Sequence, residues 1–235
     1  MSVVGFVLAA ALSGPQRVEP VLWLNPKGSL LVAGKPAEAR LTPGAATVRT
    51  PFGLGLDLNG THGGLLLKDF PALALTKAMT VSTWVYLRSY VNDGPGAQLL
   101  FRGDDRPGLD PYDLVLRGDG TIEFGIGSET DGRPFVATEI PLQQWVHITA
   151  SFSSESGELR LWMGSRLVAT RVTEIRPFAT LDTNYLPGVG IGNVETDGGF
   201  GNNQPLNGTL ADLRLYPAVL EPRDVGYQPI QALPL

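Results

Sequence analysis

The sequence predicts an all-β fold, a two-sheet antiparallel β-sandwich of about a dozen strands. Three observations carry this. Apolar and polar residues alternate with period two over long stretches. Glycine and asparagine turn chemistry punctuates those stretches. No segment keeps a helical period.

The elements follow in order. In "MTVSTWVYLR", Val81, Thr83, Val85 and Leu87 share one face, and Ser82, Trp84, Tyr86 and Arg88 the other. "YDLVLR" and "TIEFGIG" flank Gly118-Asp119-Gly120, which reads as a hairpin. In "WVHITASF", Val146, Ile148, Ala150 and Phe152 oppose Trp145, His147, Thr149 and Ser151. Ser156-Gly157 turns the chain into "ELRLWMG", where Leu159, Leu161 and Met163 oppose Glu158, Arg160 and Trp162. "ADLRLY" sets Ala211, Leu213 and Leu215 against Asp212, Arg214 and Tyr216. Asn59-Gly60 and Asn207-Gly208 are turn dipeptides that tolerate positive φ. The best helical candidate is short, at Pro36 to Leu41, with a further helical turn expected near Phe70 to Leu75.

A chain of 235 residues with 43% hydrophobic content suits one large sandwich with a sizeable core. No linker composition divides it. The expected organisation is an apolar or signal-like arm over residues 1–19, the sandwich over 20–220 and a tail over 221–235. The opening "MSVVGFVLAAALSGPQ" lacks a Lys or Arg before its apolar run. At about 12 apolar residues it is too short to span a bilayer. An ordered arm, packed on this chain or on a neighbour, is therefore expected over a cleaved signal. With a net charge of -5 and no basic run, a nucleic-acid footprint is absent and adhesion to anionic membranes is unsupported. With no cysteine there are no disulfides, thiolate metal sites or Cys nucleophile.

The ordered set "LALTKAMTVSTWVYLR", "YDLVLRGDGTIEFGIG", "WVHITASFSSESGELRLWMG" and "LNGTLADLRLY" resembles the laminin G-like, concanavalin A-like jelly roll. The resemblance covers Leu54 to Leu220. It implies a sandwich with a concave face and rim loops, in a family composed mostly of non-catalytic binders of glycans or proteins, with some hydrolase and lyase relatives.

"GIGSETDG" from Gly125 and "GIGNVETDG" from Gly190 read as one loop chemistry arising twice rather than as a duplication. Glycoside hydrolysis needs two carboxylates flanking the bond. The hydrolase relatives carry them as Glu-x-Asp-x-x-Glu. Here Glu129 and Asp131 are followed by Pro134, and Glu195 and Asp197 by Phe200. Glu123 stands alone on its strand. His147 reads as a packed sheet residue and His62 as a turn residue, so no enzyme is expected.

The resemblance also implies Ca²⁺ as a candidate cofactor, with Asp57, Asn59 and Asp212 as donors. Two departures weaken that set: Ala211 stands where the family often has an acid, and Gly63 and Gly64 replace another. Asp104, Asp105, Asp110 and Asp113 in "RGDDRPGLDPYD" form a second acidic stretch, read as a solvated loop. The Arg-Gly-Asp at Arg102 to Asp104 carries no weight alone.

For a ligand, two places stand out. The face opposite the aliphatic one carries Trp84, Tyr86 and Trp162, with Trp145, His147, Arg160, Arg214 and Tyr216 around them. The alternative is that loops, the arm or a second layer cover these aromatics. The long turn-rich segment "ETDGGFGNNQPLNG" offers Asp197, Phe200, Asn202 and Asn203. The leading expectation is a lectin-like binding or adhesion module for a glycan or protein surface, displayed outside a cell or on a particle. The rival is a structural or decoration protein of a virion or surface layer, self-assembling through the N-terminal arm and the tail.

Overall fold

The computed structural model describes residues 17–229 except 91–95, 105–109, 183, 185–187 and 195–202. The N-terminal arm thus lies outside the described residues up to position 16, and so do Asp197, Phe200 and Asn202. The chain begins with four short strands, β1 (Leu22–Leu24), β2 (Leu30–Val32), β3 (Lys35–Pro36) and β4 (Arg40–Leu41). A hairpin of β5 (Ala45–Thr50) and β6 (Gly53–Asn59) precedes β7 (Leu65–Leu67) and a 3-10 turn at Pro71–Leu73. Then come β8 (Ala78–Leu87), β9 (Ala97–Gly103), β10 (Tyr112–Leu116), β11 (Thr121–Ile126) and β12 (Phe135–Glu139). The last five are β13 (Trp145–Ser153), β14 (Glu158–Met163), β15 (Arg166–Val172), β16 (Gly188–Ile191) and β17 (Asn207–Tyr216). The region Pro36 to Leu41 is therefore strand and connection, not helix: β3 pairs with β2 and β4 with β7. The helical turn expected near residue 70 is the 3-10 turn.

Among the described residues, two antiparallel sheets form the sandwich. The seven-stranded sheet runs β12-β11-β10-β9-β16-β7-β4. The ten-stranded sheet runs β15-β14-β13-β8-β17 and then divides. Residues 207–211 of β17 pair with β6, and 213–215 with β1. The division falls at a bulge in the pairing with β8, where Asp212 takes φ 50°. Asp tolerates the left-handed region better than most residues.

Alternation explains the core. Val81, Val85, Val146, Ile148, Leu161, Leu213 and Leu215 all lie between the sheets. Ala211 departs from the expected face. The bulge inserts a residue, so Ala211 pairs beside Trp84 on the outward side while Leu213 and Leu215 stay inside. Of the tail, residues 230–235 lie outside the described residues. Residues 217–229 fold back as a strap over the ten-stranded sheet. Thr80 Oγ1 donates to Ala218 O (2.7 Å) and accepts from Leu220 N (2.9 Å). Arg214 Nη1 donates to Val225 O (3.0 Å).

Candidate functional site

Register fixes the outward face of the ten-stranded sheet row by row. Trp145, Tyr86, Thr209 and Asp57 form one row. His147, Trp84, Ala211 and Gly55 form the next. Trp162, Thr149, Ser82 and Arg214 follow, and then Arg160, Ser151, Thr80 and Tyr216. The expected aromatics are thus gathered on one face, but Trp84 and Trp162 are not open platforms. Trp84 is 8% exposed and Trp162 5%. Phe52, at the turn between β5 and β6, stacks on Trp84 at 4.0 Å with 9° between the rings. Tyr227 of the strap packs against Trp84 (5.7 Å) and His147 (4.8 Å). Tyr86 is half-buried beside Trp145. A sugar stacking on Trp84 would first have to displace Phe52 or Tyr227.

His147 shares this cover. Its Nε2 lies 3.1 Å from Ser82 Oγ and its Nδ1 3.4 Å from Thr149 Oγ1. Burial, with a smaller contribution from Arg214, lowers its pKa to about 3. The unfolded chain takes this proton near the ordinary value of 6.5, while the folded site refuses it. His147 therefore costs stability as pH falls from about 6.5 toward 3. Melting temperatures across that window should drop more steeply for the native chain than for His147→Gln. Parallel curves would mean that His147 protonates in place.

The calcium set does not fit the ion. Asp57 Oδ1 accepts from Arg88 Nη1 (2.6 Å) and Thr209 Oγ1 (2.7 Å). Asn59 Oδ1 is spent on the backbone N–H groups of Thr61, His62 and Gly63. Asp212 is gripped by Arg214 through Nε (2.8 Å) and Nη2 (2.6 Å), and by Trp23 Nε1 (2.7 Å). Calcium takes six to eight oxygens, and the oxygens of these three residues already serve internal partners. Among the described residues, no group of three or more His, Cys, Asp or Glu could hold a metal. The second acidic stretch is not simply solvated. Asp104 is 3% exposed and accepts from Asp182 N (2.7 Å), and Asp113 is 4% exposed on β10. Arg102 is fully buried against Asp69, which removes the Arg-Gly-Asp from the surface.

Of the expected loop residues, Asn203 is described. It ties the returning end of its loop down. Its Oδ1 accepts from Asn193 Nδ2 (2.8 Å), and its Nδ2 donates to Thr61 O (2.6 Å). Asn193, fully buried, also accepts from Gln204 N (2.7 Å) and so joins both ends of the segment.

Sequence reasoning missed a site on the other sheet. One outward row of the seven-stranded sheet reads Phe135, Gly125, Asp113, Phe101 and Gly190 across β12, β11, β10, β9 and β16. The next reads Ala137, Glu123, Val115 and Gln98. Arg133, just before β12, lies flat on Gly125. A Cβ at Gly125 would stand 2.4 Å from the Arg133 guanidinium carbon, so a side chain there would push the guanidinium off this seat. Arg133 Nε donates to both Asp113 oxygens (3.0 Å each), and its Nη1 donates to Glu123 Oε2 (3.2 Å). Arg117 Nη2 reaches the same Glu123 oxygen at 2.7 Å. The guanidinium of Arg133 also sits over the Phe135 ring, 5.7 Å from its centroid. Phe135 itself is 38% exposed. Burial pushes the Asp113 carboxyl above its usual range, and Arg133 pulls it part of the way back. Burial also opposes the charge on Arg133, but Asp113 and Glu123 hold its pKa above the ordinary guanidinium value. A usable signal did exist: Asp113 and Glu123 are single acids in otherwise apolar strands.

Comparisons with known proteins agree on the architecture. The laminin G-type model of the concanavalin A-like lectin/glucanases superfamily matches residues 59–226. No curated protein matches in sequence. Among solved structures, the binding domain of Paraclostridial Mosquitocidal Protein 1 superposes with a TM-score of 0.67 at 14% identity, covering 89% of this chain and 51% of that one. The binding domain of botulinum neurotoxin DC, solved with rat synaptotagmin II, gives 0.63 at 14%, covering 88% and 50%. Domain 4 of AbnA, an extracellular arabinanase from Geobacillus stearothermophilus solved with arabinotriose, gives 0.59 at 19%, covering 89% and 98%. The chain spans about half the length of the toxin chains it matches. At these identities the likeness is one of fold.

Proposed function

The chain belongs to the concanavalin A-like lectin/glucanases superfamily, and on that premise we propose that it is a non-catalytic module that binds saccharides outside the cell. The observation that carries this reading is the row Phe135, Arg133 over Gly125, and Asp113 on the seven-stranded sheet. A half-open aromatic ring beside fixed guanidinium and carboxylate groups is what a sugar needs. Its C–H face packs on the ring and its hydroxyls meet the partly exposed Arg133 guanidinium, which Asp113 and Glu123 hold from beneath. The groups are already held by each other, so little ordering entropy is lost on binding.

The same geometry argues against hydrolysis. An acid and a base must face the scissile bond from two sides. Here Asp113 and Glu123 both turn toward one guanidinium. They serve as a polar floor rather than as a proton donor and acceptor. The arabinanase domain, matched over nearly its whole length, was solved with arabinotriose and comes from an extracellular enzyme. Both facts support a saccharide ligand and display outside the cell.

A glycan array followed by titration of its best ligand tests the proposal. Phe135→Ala should weaken that ligand about tenfold, or about 1.4 kcal/mol. It should barely move the melting temperature, because the ring is exposed on an edge strand. An unchanged affinity, or an array with no ligand, would remove the saccharide from the reading.

A further inference from the structure

The hairpin of β13 and β14 carries a second, separate concavity on the ten-stranded sheet. It is a groove of about 560 Å³, within the range of small-molecule sites. Its floor is Ser151, which is 1% exposed. The Ser151 hydroxyl has no hydrogen-bond partner among the described residues. A buried hydroxyl left unpaired costs about 1–3 kcal/mol, so its retention calls for a reason. Ser153 and Ser156 add two more hydroxyls to the wall, and Val219 of the strap supplies an apolar lip that is 40% exposed.

The charges of the groove are acceptor-rich. Arg160 is its one cation, and Nη2 of Arg160 is already paired with Glu158 Oε2 at 2.5 Å. The other Glu158 oxygen accepts from Thr170 Oγ1 (3.1 Å). Glu155 is exposed at the rim, and no salt bridge or side-chain hydrogen bond engages its carboxylate among the described residues. The groove therefore carries one net negative charge: two glutamates against one arginine. Its hydroxyls accept as well as donate. Such a surface favours a small cation rich in N–H and O–H donors.

We propose that this groove binds a protonated primary amine flanked by hydroxyls, as an amino sugar or an amino alcohol presents. The ammonium pairs with Glu155 at the rim. Neighbouring ligand hydroxyls meet Ser153 and Ser156. One reaches Ser151, whose Oγ turns into the groove by a change of χ1. The site lies on a different sheet from Phe135 and Arg133, so it stands or falls independently of the saccharide reading.

Three probes separate the determinants: glucosamine, ethanolamine and N-acetylglucosamine, titrated by NMR against the backbone amides of residues 151–158. Glucosamine and ethanolamine should give saturable shifts there, and the tighter of the two identifies the sugar or alcohol source. N-acetylglucosamine, with its charge removed, should bind at least about tenfold more weakly. Glu155→Gln should erase that difference. Ser151→Ala has two opposite expected effects. It should raise the melting temperature, because an unpaired buried hydroxyl is gone, and weaken glucosamine several-fold. Equal binding of glucosamine and N-acetylglucosamine, or no saturable shift with either amine, overturns the proposal. So does a Ser151→Ala chain with unchanged glucosamine affinity. The Phe135→Ala chain should bind glucosamine here as the native chain does, which keeps the two sites apart.

Discussion

Arg133→Met should destabilise the protein by about 3 kcal/mol or more at neutral pH, the lower end of the cost of breaking a buried ion pair from one side. The lower end applies because the Arg133 side chain keeps 19% exposure. The substitution leaves Asp113, 5% exposed at its side chain, without its salt-bridge partner, while Glu123, 10% exposed, keeps only Arg117 at 2.7 Å. Met keeps the volume over Gly125, so packing changes little and the loss reports charge. The pH dependence separates this from a packing defect. Burial already holds Asp113 above its usual range, with Arg133 pulling it down. Without Arg133 the folded pKa rises further. A carboxyl whose folded pKa exceeds its unfolded one gives stability that is present below the unfolded value and is lost as pH climbs through the folded one. The deficit of Arg133→Met against the native chain should therefore be largest near pH 7 and shrink toward pH 4. Urea denaturation at several pH values measures it. A deficit that stays constant with pH would mean that the guanidinium acts only as filler.

That cluster also shows where the sequence stops being readable. Period-two alternation places side chains on faces. It correctly separated Val146, Ile148 and Phe152 from Trp145, His147 and Thr149, because a pleated strand leaves no other choice. Alternation says nothing about which strand lies beside which. Asp113, Glu123 and Arg133 meet only once β10, β11 and the approach to β12 are neighbours, and the slot that admits Arg133 is a missing side chain at Gly125. The strands of two or three residues from Leu22 to Leu41 were unreadable for another reason. They are too short to show a period, and Pro36 and Arg40 look like helix-starting composition until the partner strands are known. The bulge at Asp212 defeated strict alternation for one residue, Ala211, because a register shift leaves no compositional mark. A cover over the aromatic face was an open alternative from the sequence, but the residues that form it were hidden. Phe52 and Tyr227, which cover Trp84, lie far from it in sequence, within turns and a tail.

Trp84→Ala, on that covered face, should cost about 3–5 kcal/mol of stability, the usual range for removing a buried aromatic. The indole is 8% exposed and lies between Phe52 and Tyr227, with His147 edge-on at 5.0 Å. Its loss opens a cavity that three chain segments line: the β5–β6 turn, strand β13 and the strap. None of them can collapse into the space without breaking other bonds. The strap is held by Thr80 to Ala218 and by Arg214 to Val225, and the turn by Leu54 N to Pro26 O at 2.8 Å. The excess loss should therefore appear as loosening of the strap. Amide exchange at Leu220 and Tyr227 should quicken more than at Leu114, in the middle of the other sheet. Affinity for the best array ligand should stay within about twofold, about 0.4 kcal/mol, because Phe135 and Arg133 sit on the opposite sheet. If Trp84→Ala instead kept its melting temperature and lost the ligand, the covered aromatic face would be the binding face. Phe52 and Tyr227 would then be a movable cover, and Phe135 would be an ordinary edge residue.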